Sequence, residues 1–176
     1  MKRMWRRLDE PGLEVFQIEG EADGFRALST VVHAGETAFG LSYVWLLDRE
    51  WRTRRLDLRL STPLLREMSI ERIPGGWLVD GRENQSLAEC EEIDVSATPF
   101  CNALALRLLK GPGELTALYV DVPSLRLSPS RQRYEALAKS RWRYIDLGVA
   151  KGFEADLKID ADGLVFDYEG LFEAVG

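Results

Sequence analysis

At 176 residues, 45% apolar and 30% charged, the chain can bury a sizeable core, and its length favours one domain. A net charge of -6 leaves no overall basic surface for a polyanion, which argues against nucleic-acid binding even though Met1 to Arg7 is locally basic. Two cysteines, Cys90 and Cys101, and the single histidine, His33, are too few for a disulfide framework or a multi-histidine metal site.

After the basic start, Leu8-Asp9-Glu10-Pro11-Gly12 supplies no apolar run for a secretory signal. No segment approaches the roughly 20 apolar residues of a membrane helix, so the expectation is a cytoplasmic protein without a membrane span. Leu13 to Glu19 alternates, with Leu13, Val15 and Gln17 against Glu14, Phe16 and Ile18, and Gly24 to His33 is rich in β-branched and aromatic residues. These segments read as two strands. Phe39 to Leu47 is too aromatic, and too interrupted by Gly40, for a comfortable helix, and is the third strand. Thr53 to Leu60 has the clearest period of two, with Arg54, Leu56, Leu58 and Leu60 on one face and Arg55, Asp57 and Arg59 on the other. Leu64 to Ile73 and Trp77 to Asp80 follow, separated by Pro74-Gly75-Gly76. Short strands joined by tight turns make an antiparallel meander, since parallel neighbours require long crossovers.

Residues 91–110, E-E-I-D-V-S-A-T-P-F-C-N-A-L-A-L-R-L-L-K, depart from this rhythm. Ile93, Val95 and Ala97 alternate with Asp94, Ser96 and Thr98 until Thr98-Pro99. From there local signals favour a helix to Lys110, with Thr98 as cap, Pro99 at the first position and Gly111 past the end. The alternative is a helical turn over Thr98 to Asn102 followed by a strand over Leu104 to Leu109. Farther on, Leu115 to Val122 alternates as a strand ended by Pro123. Ser130 to Lys139 reads as a short helix capped by Ser130, and Arg141 to Leu147 and Lys151 to Ile159 as strands. Residues 160–163 form a hairpin turn into Leu164 to Tyr168, and Glu169 to Val175 is a single helical turn.

None of these residues announces a reaction. Gly75-Gly76 and Gly111-Pro112-Gly113 open no phosphate-binding helix, and carboxylates such as Asp94 and Asp121 are abundant without a motif to place them. Trp51 and Trp142 either pack ordinarily or line an acyl pocket and stack on sugar rings. Asn102 and Arg107 are the polar residues least expected inside an apolar run. They either contact a ligand or hold the structure, with Arg107 pairing Asp94.

Asp94-Val95-Ser96 with Thr98-Pro99-Phe100-Cys101-Asn102, then Leu104 and Arg107-Leu108, resembles the central motif of the bacterial putative glycolipid-binding family, a group otherwise of unknown function. Glu14, Asp48 with Trp51 and Arg52, Gly76-Trp77, Pro123, Gln132 with Tyr134, and Asp162-Gly163-Leu164-Val165 with Asp167-Tyr168 follow the family's order, so the likeness covers nearly the whole chain. The family's pattern has Thr at Cys101, a small polar residue at Ala103, Pro at Ala105 and a second Arg at Leu108. A Pro tolerated at position 105 argues against a continuous helix and selects the short turn followed by a strand. The resemblance implies a mainly β fold, a strongly curved antiparallel sheet forming an incomplete barrel with a few short helices around an apolar cavity. It further implies non-enzymatic binding of a lipid-like or glycolipid-like amphiphile; with one histidine and two separated cysteines, no metal is expected, and no cofactor. The candidate ligand contacts are Asp94, Thr98, Asn102, Arg107, Trp51 and Trp142. A small hydrolase-type enzyme using Asp94 or Asp121, and a protein-interaction module, are the rival readings.

Overall fold

Strands dominate residues 1–175, the part of the chain described by this computed structural model. They are β1 (Lys2–Arg7), β2 (Gly12–Glu21), β3 (Gly24–His33), β4 (Phe39–Leu47), β5 (Thr53–Ser61), β6 (Leu65–Ile73), β7 (Gly76–Val79), β8 (Arg82–Glu83), β9 (Glu92–Val95), β10 (Gly113–Asp121), β11 (Arg126–Ala138), β12 (Arg141–Asp146), β13 (Glu154–Ile159), β14 (Val165–Tyr168) and β15 (Phe172–Ala174). One helix, α1 (Phe100–Leu109), and a 3-10 turn at Gln85–Leu87 complete the element order. All the strands belong to one curved sheet in the order β8-β7-β6-β5-β4-β3-β2-β1-β15-β14-β13-β12-β11-β10-β9. Two meanders therefore lie side by side, stitched by the antiparallel pairing of β1 with β15.

The sheet stays open, since β8 and β9 end it without pairing, but side chains draw its flanks together. Trp77 Nε1 donates to Cys90 O (3.0 Å), Arg72 to Glu91 O (2.7 Å), and the Thr53 amide to Glu92 Oε2 (3.1 Å). The result is the incomplete barrel that the sequence resemblance implies. Among the described residues no helix is long and apolar enough to cross a membrane.

Alternation explains most strands. β4 buries every second residue from Phe39 to Leu47, and β5 buries Leu56, Leu58 and Leu60. Arg54 does not join that face: the β4–β5 register slips between Leu46/Leu47 and Arg55/Thr53, so Arg54 is the extra residue of a bulge and points to solvent. The basic segment β1 is a strand because one residue, Trp5, is completely buried and donates Nε1 to Val165 O at 2.7 Å.

Four expectations are corrected. First, α1 runs unbroken from Phe100 to Leu109, so there is no strand over Leu104 to Leu109. The reason is topological: β9 and β10 are parallel neighbours in an otherwise antiparallel sheet, and a parallel pair needs a crossover that a helix supplies. Thr98 Oγ1 accepts the Phe100 amide (3.2 Å), and Lys110, with φ +54, ends the helix in the left-handed region where Gly111 was expected to do so. Second, Ser130 to Lys139 is not helical: Ser130 to Ala138 lie in β11, where Ser130, Gln132 and Tyr134 are buried at a period of two, and Lys139 begins the turn after it. Third, the C-terminal helical turn is instead β15, held by β1 and β14. Fourth, α1 occupies the concave side on which an apolar cavity was expected. Phe100 through Ala105 are all buried, and the Phe100 ring lies 4.5 Å from Phe16 and 5.4 Å from Trp45.

Candidate functional site

The segment from β9 into α1 builds a polar pocket at one end of the core. On β9, Asp94 stands in register with Tyr119 of β10. Its carboxylate accepts hydrogen bonds from Cys101 Sγ (2.9 Å) and from Gln132 Nε2. Asn102 Nδ2 donates to Tyr134 OH (3.0 Å), which in turn donates to Gln132 Oε1 (3.3 Å). From β12, Tyr144 OH donates to Asp146 Oδ2 (3.1 Å), and Asp146 Oδ1 takes the Gly148 amide at 2.7 Å. The loop after β12 can lie against β11 only with glycine there, since a Cβ at Gly148 would fall 2.4 Å from Ser130 Oγ and 2.7 Å from the Arg131 amide.

These groups surround a cavity of about 240 Å³. Asp94, Asp146, Tyr119 and Tyr144 make its polar part, with Thr98, Cys101 and Asn102 beside them, and Arg7 on its wall. Phe153, Phe172, Leu171 and Val149 form an apolar side. Tyr144, Phe153 and Tyr168 contact one another edgewise or tilted, at 6.1 to 6.5 Å.

Burial pushes the Asp94 carboxyl above the usual carboxylate range; its bonds to Cys101 and Gln132 pull it back, and the charge of Asp146 raises it again. Burial, then the Asp94 charge, pushes the hydroxyls of Tyr134, Tyr144 and Tyr168 and the Cys101 thiol upward. The tyrosines consequently stay protonated donors at neutral pH, and Cys101 stays a thiol, a poor nucleophile.

Beneath the pocket, Thr98 ties it to a further buried carboxylate. Glu14 Oε1 accepts from Ser29 Oγ (2.6 Å), Tyr43 OH (2.7 Å) and Thr98 Oγ1 (3.0 Å). Its other oxygen, Oε2, is buried without a hydrogen-bond partner among the described residues.

Of the sequence-stated candidates, Asp94, Thr98 and Asn102 come together here, while Arg107, Trp51 and Trp142 lie elsewhere. The anticipated Arg107–Asp94 pair does not form. The Arg107 guanidinium sits 3.9 Å over the Trp51 ring and donates to Asp162 O, beside Gly163, whose φ of +77 lies in the left-handed region that favours glycine. Trp51 itself has φ +66 and packs on Phe25 at 4.6 Å. Trp142 is half-buried on β12, opposite Ala136 and Leu157. Asn102 serves a tyrosine hydroxyl. Residues that sequence reasoning missed are Tyr119, Tyr144, Asp146 and Tyr168; the signal for two of them was the spacing of Tyr144 and Asp146, which puts both on one face of a strand.

Asn102→Ala, by removing the donor to the buried Tyr134 hydroxyl, and Arg107→Leu, by removing the cation over Trp51, are each expected to cost about 1–3 kcal/mol of stability. Urea denaturation checks this, and midpoints within error of the parent would contradict the assigned contacts.

Residues 2–174 match the model of the family described as putative glycolipid-binding. Among solved structures, the chain is similar to a DUF1089 family protein from Pseudomonas aeruginosa, with 28% identity, 92% of each chain covered and a TM-score of 0.82. No curated protein matches the chain.

Proposed function

The chain belongs to this putative glycolipid-binding family, and from that premise we propose that it binds a sugar-bearing, lipid-like amphiphile, with the polyol head in the Asp94 pocket. The observation that carries the reading is the pairing of two carboxylates, Asp94 and Asp146, with tyrosine hydroxyls and aromatic rings in one cavity. A sugar ring offers hydroxyls to acceptors and donors and a C–H face to aromatics, which is the complement of this lining. The head is neutral: a phosphate would face both carboxylates, and the one cation on the wall, Arg7, is engaged by Asp9 at 2.7 Å. The volume agrees with a head group, since about 240 Å³ lies below the ~300–1,000 Å³ of sites that enclose whole drug-sized ligands.

Titration calorimetry with maltose and with glucose 6-phosphate tests the proposal. Maltose is expected to bind and the phosphate ester to bind more weakly. Asp94→Asn and Asp146→Asn should each lower maltose affinity by about 10- to 100-fold, the usual worth of a hydrogen bond to a charged group. Absence of binding at millimolar maltose, or affinity untouched by both substitutions, would remove the sugar reading. Turnover of aryl glycosides abolished by Asp94→Asn would replace binding with hydrolysis.

A further inference from the structure

The face of the sheet turned away from the core carries a second and larger concavity, of about 830 Å³. By register, its outward side chains form two cross-strand rows over β2 to β6. One is Val15, Thr30, Ser42, Arg59 and Glu67, and the other is Gln17, Leu28, Val44, Asp57 and Ser69. Ser42 and Val44 on β4 are half-buried although they point outward, whereas Val15 on β2 is 53% exposed and the Arg59 side chain 63%. β4 thus runs along the bottom of a groove whose walls are β2 on one side and β5 with β6 on the other.

We propose that this groove binds the alkyl or acyl chain of an amphiphile. The inference rests on the amphiphile reading and gives the apolar part of that ligand its own site. Leu28, Ser42 and Val44, half-buried along the floor, carry no charge. Along the wall Arg55 pairs with Asp57 at 2.9 Å and Arg59 with Glu67 at 3.6 Å, which leaves the Asp80 carboxylate, bonded to the Ser69 amide, as the unbalanced charge, so the groove offers no site to an anion. A peptide strand is a poor occupant, because β3, β4 and β5 are paired on both sides and leave no backbone donors or acceptors to extend the ladder. A second copy is a poor occupant as well: a two-fold contact sets concavity against concavity and leaves a void. A chain of methylenes needs no hydrogen bonds and fills a trough of this shape. The apolar surface also continues beyond it, since Met4 stands beside Val15 and Leu13 beside Val32, all four at least 40% exposed.

The test uses octyl, decyl and dodecyl maltoside below their critical micelle concentrations, with maltose as the head-group control. In the parent, affinity should rise about two- to fourfold per added methylene, the upper figure corresponding to full burial. Val44→Glu and Leu28→Glu, both at outward positions of the floor, should each weaken dodecyl maltoside at least tenfold and leave maltose binding as in the parent. Asp94→Asn should do the reverse, losing maltose affinity while keeping the dependence on chain length. Chain-length dependence that is absent from the parent, or that survives in both floor variants, overturns the inference. A parent dimer dispersed by Val44→Glu in sedimentation, without loss of alkyl binding, overturns it in favour of a second copy. Failure of maltose to bind, with chain binding still lost in the floor variants, sinks the head-group reading and leaves the groove standing.

Discussion

Glu14→Gln is expected to stabilise the protein at pH 8 by about 3 kcal/mol relative to the parent, and to leave stability at pH 4 nearly unchanged. Burial drives the effect: it raises the Glu14 carboxyl from 4.5 to about 7, against the opposing pull of hydrogen bonds from Ser29, Tyr43 and Thr98. Among the described residues no cation is bonded to it. Arg7 and His33 line the small void beside it, but Arg7 is held by Asp9 and His33 by Glu10. Below the unfolded value of 4.5 both states carry the proton and Glu14 contributes no pH dependence. Between 4.5 and about 7 the unfolded chain ionises while the native state keeps its proton, so stability falls as pH rises, and above 7 the loss is complete. At about 1.4 kcal/mol per tenfold change in proton affinity, the rise is worth about 3 kcal/mol. Glutamine keeps the acceptor for three hydroxyls and never ionises. The difference between variant and parent isolates this residue from Asp94 and Glu92, which burial also raises. Melting temperatures should separate by about 6–12 °C at pH 8 and converge towards pH 4; parallel curves across that range would show that Glu14 is ionised in the native state at low cost.

The same carboxylate shows why the strands were easier to read than the site. Alternation over Leu13 to Ile18 puts Glu14 on one face with Phe16 and Ile18, and that face is the buried one. A glutamate in this position looks like solvent-facing polarity until its three donors, contributed by β3, β4 and the turn before α1, are assembled. The misreading of β11 has the same origin: its inward residues Ser130, Gln132 and Tyr134 are polar or amphipathic because they hydrogen-bond Val149, Asp94 and Asn102 of the pocket lining, so the period of two lost its apolar signature and a cap-like serine suggested a helix. For α1 the residues themselves favoured the helix, and the Pro tolerated at position 105 in relatives tipped the choice the wrong way. Only the parallel placement of β9 and β10, a long-range property, makes the crossover obligatory. The Asp94, Thr98 and Asn102 cluster was legible because one short segment supplies it, whereas Tyr144, Asp146 and Tyr168 arrive from strands more than 40 residues later.

Phe100→Ala should be the most damaging single substitution in the chain's central segment, costing about 3–5 kcal/mol. Phe100 has no exposed surface and is the residue through which α1 meets the opposite wall of the sheet, stacking obliquely on Phe16 of β2 and edge-on to Trp45 of β4. An open sheet cannot collapse onto a missing ring as a helical bundle can, because its strands are fixed by their ladders and the flanks are held apart by the helix between them. The cavity therefore persists, and the cost includes the lost contacts of its lining as well as the lost transfer of the ring. Phe100→Leu, which keeps most of the volume, should cost much less. Guanidinium denaturation would show the alanine variant's midpoint displaced with the slope of the transition unchanged, since the surface exposed on unfolding is nearly the same. A cost below about 1 kcal/mol for the alanine variant would mean that the sheet closes over the gap. α1 would then be a crossover lying within the curve, not the wedge that sets it.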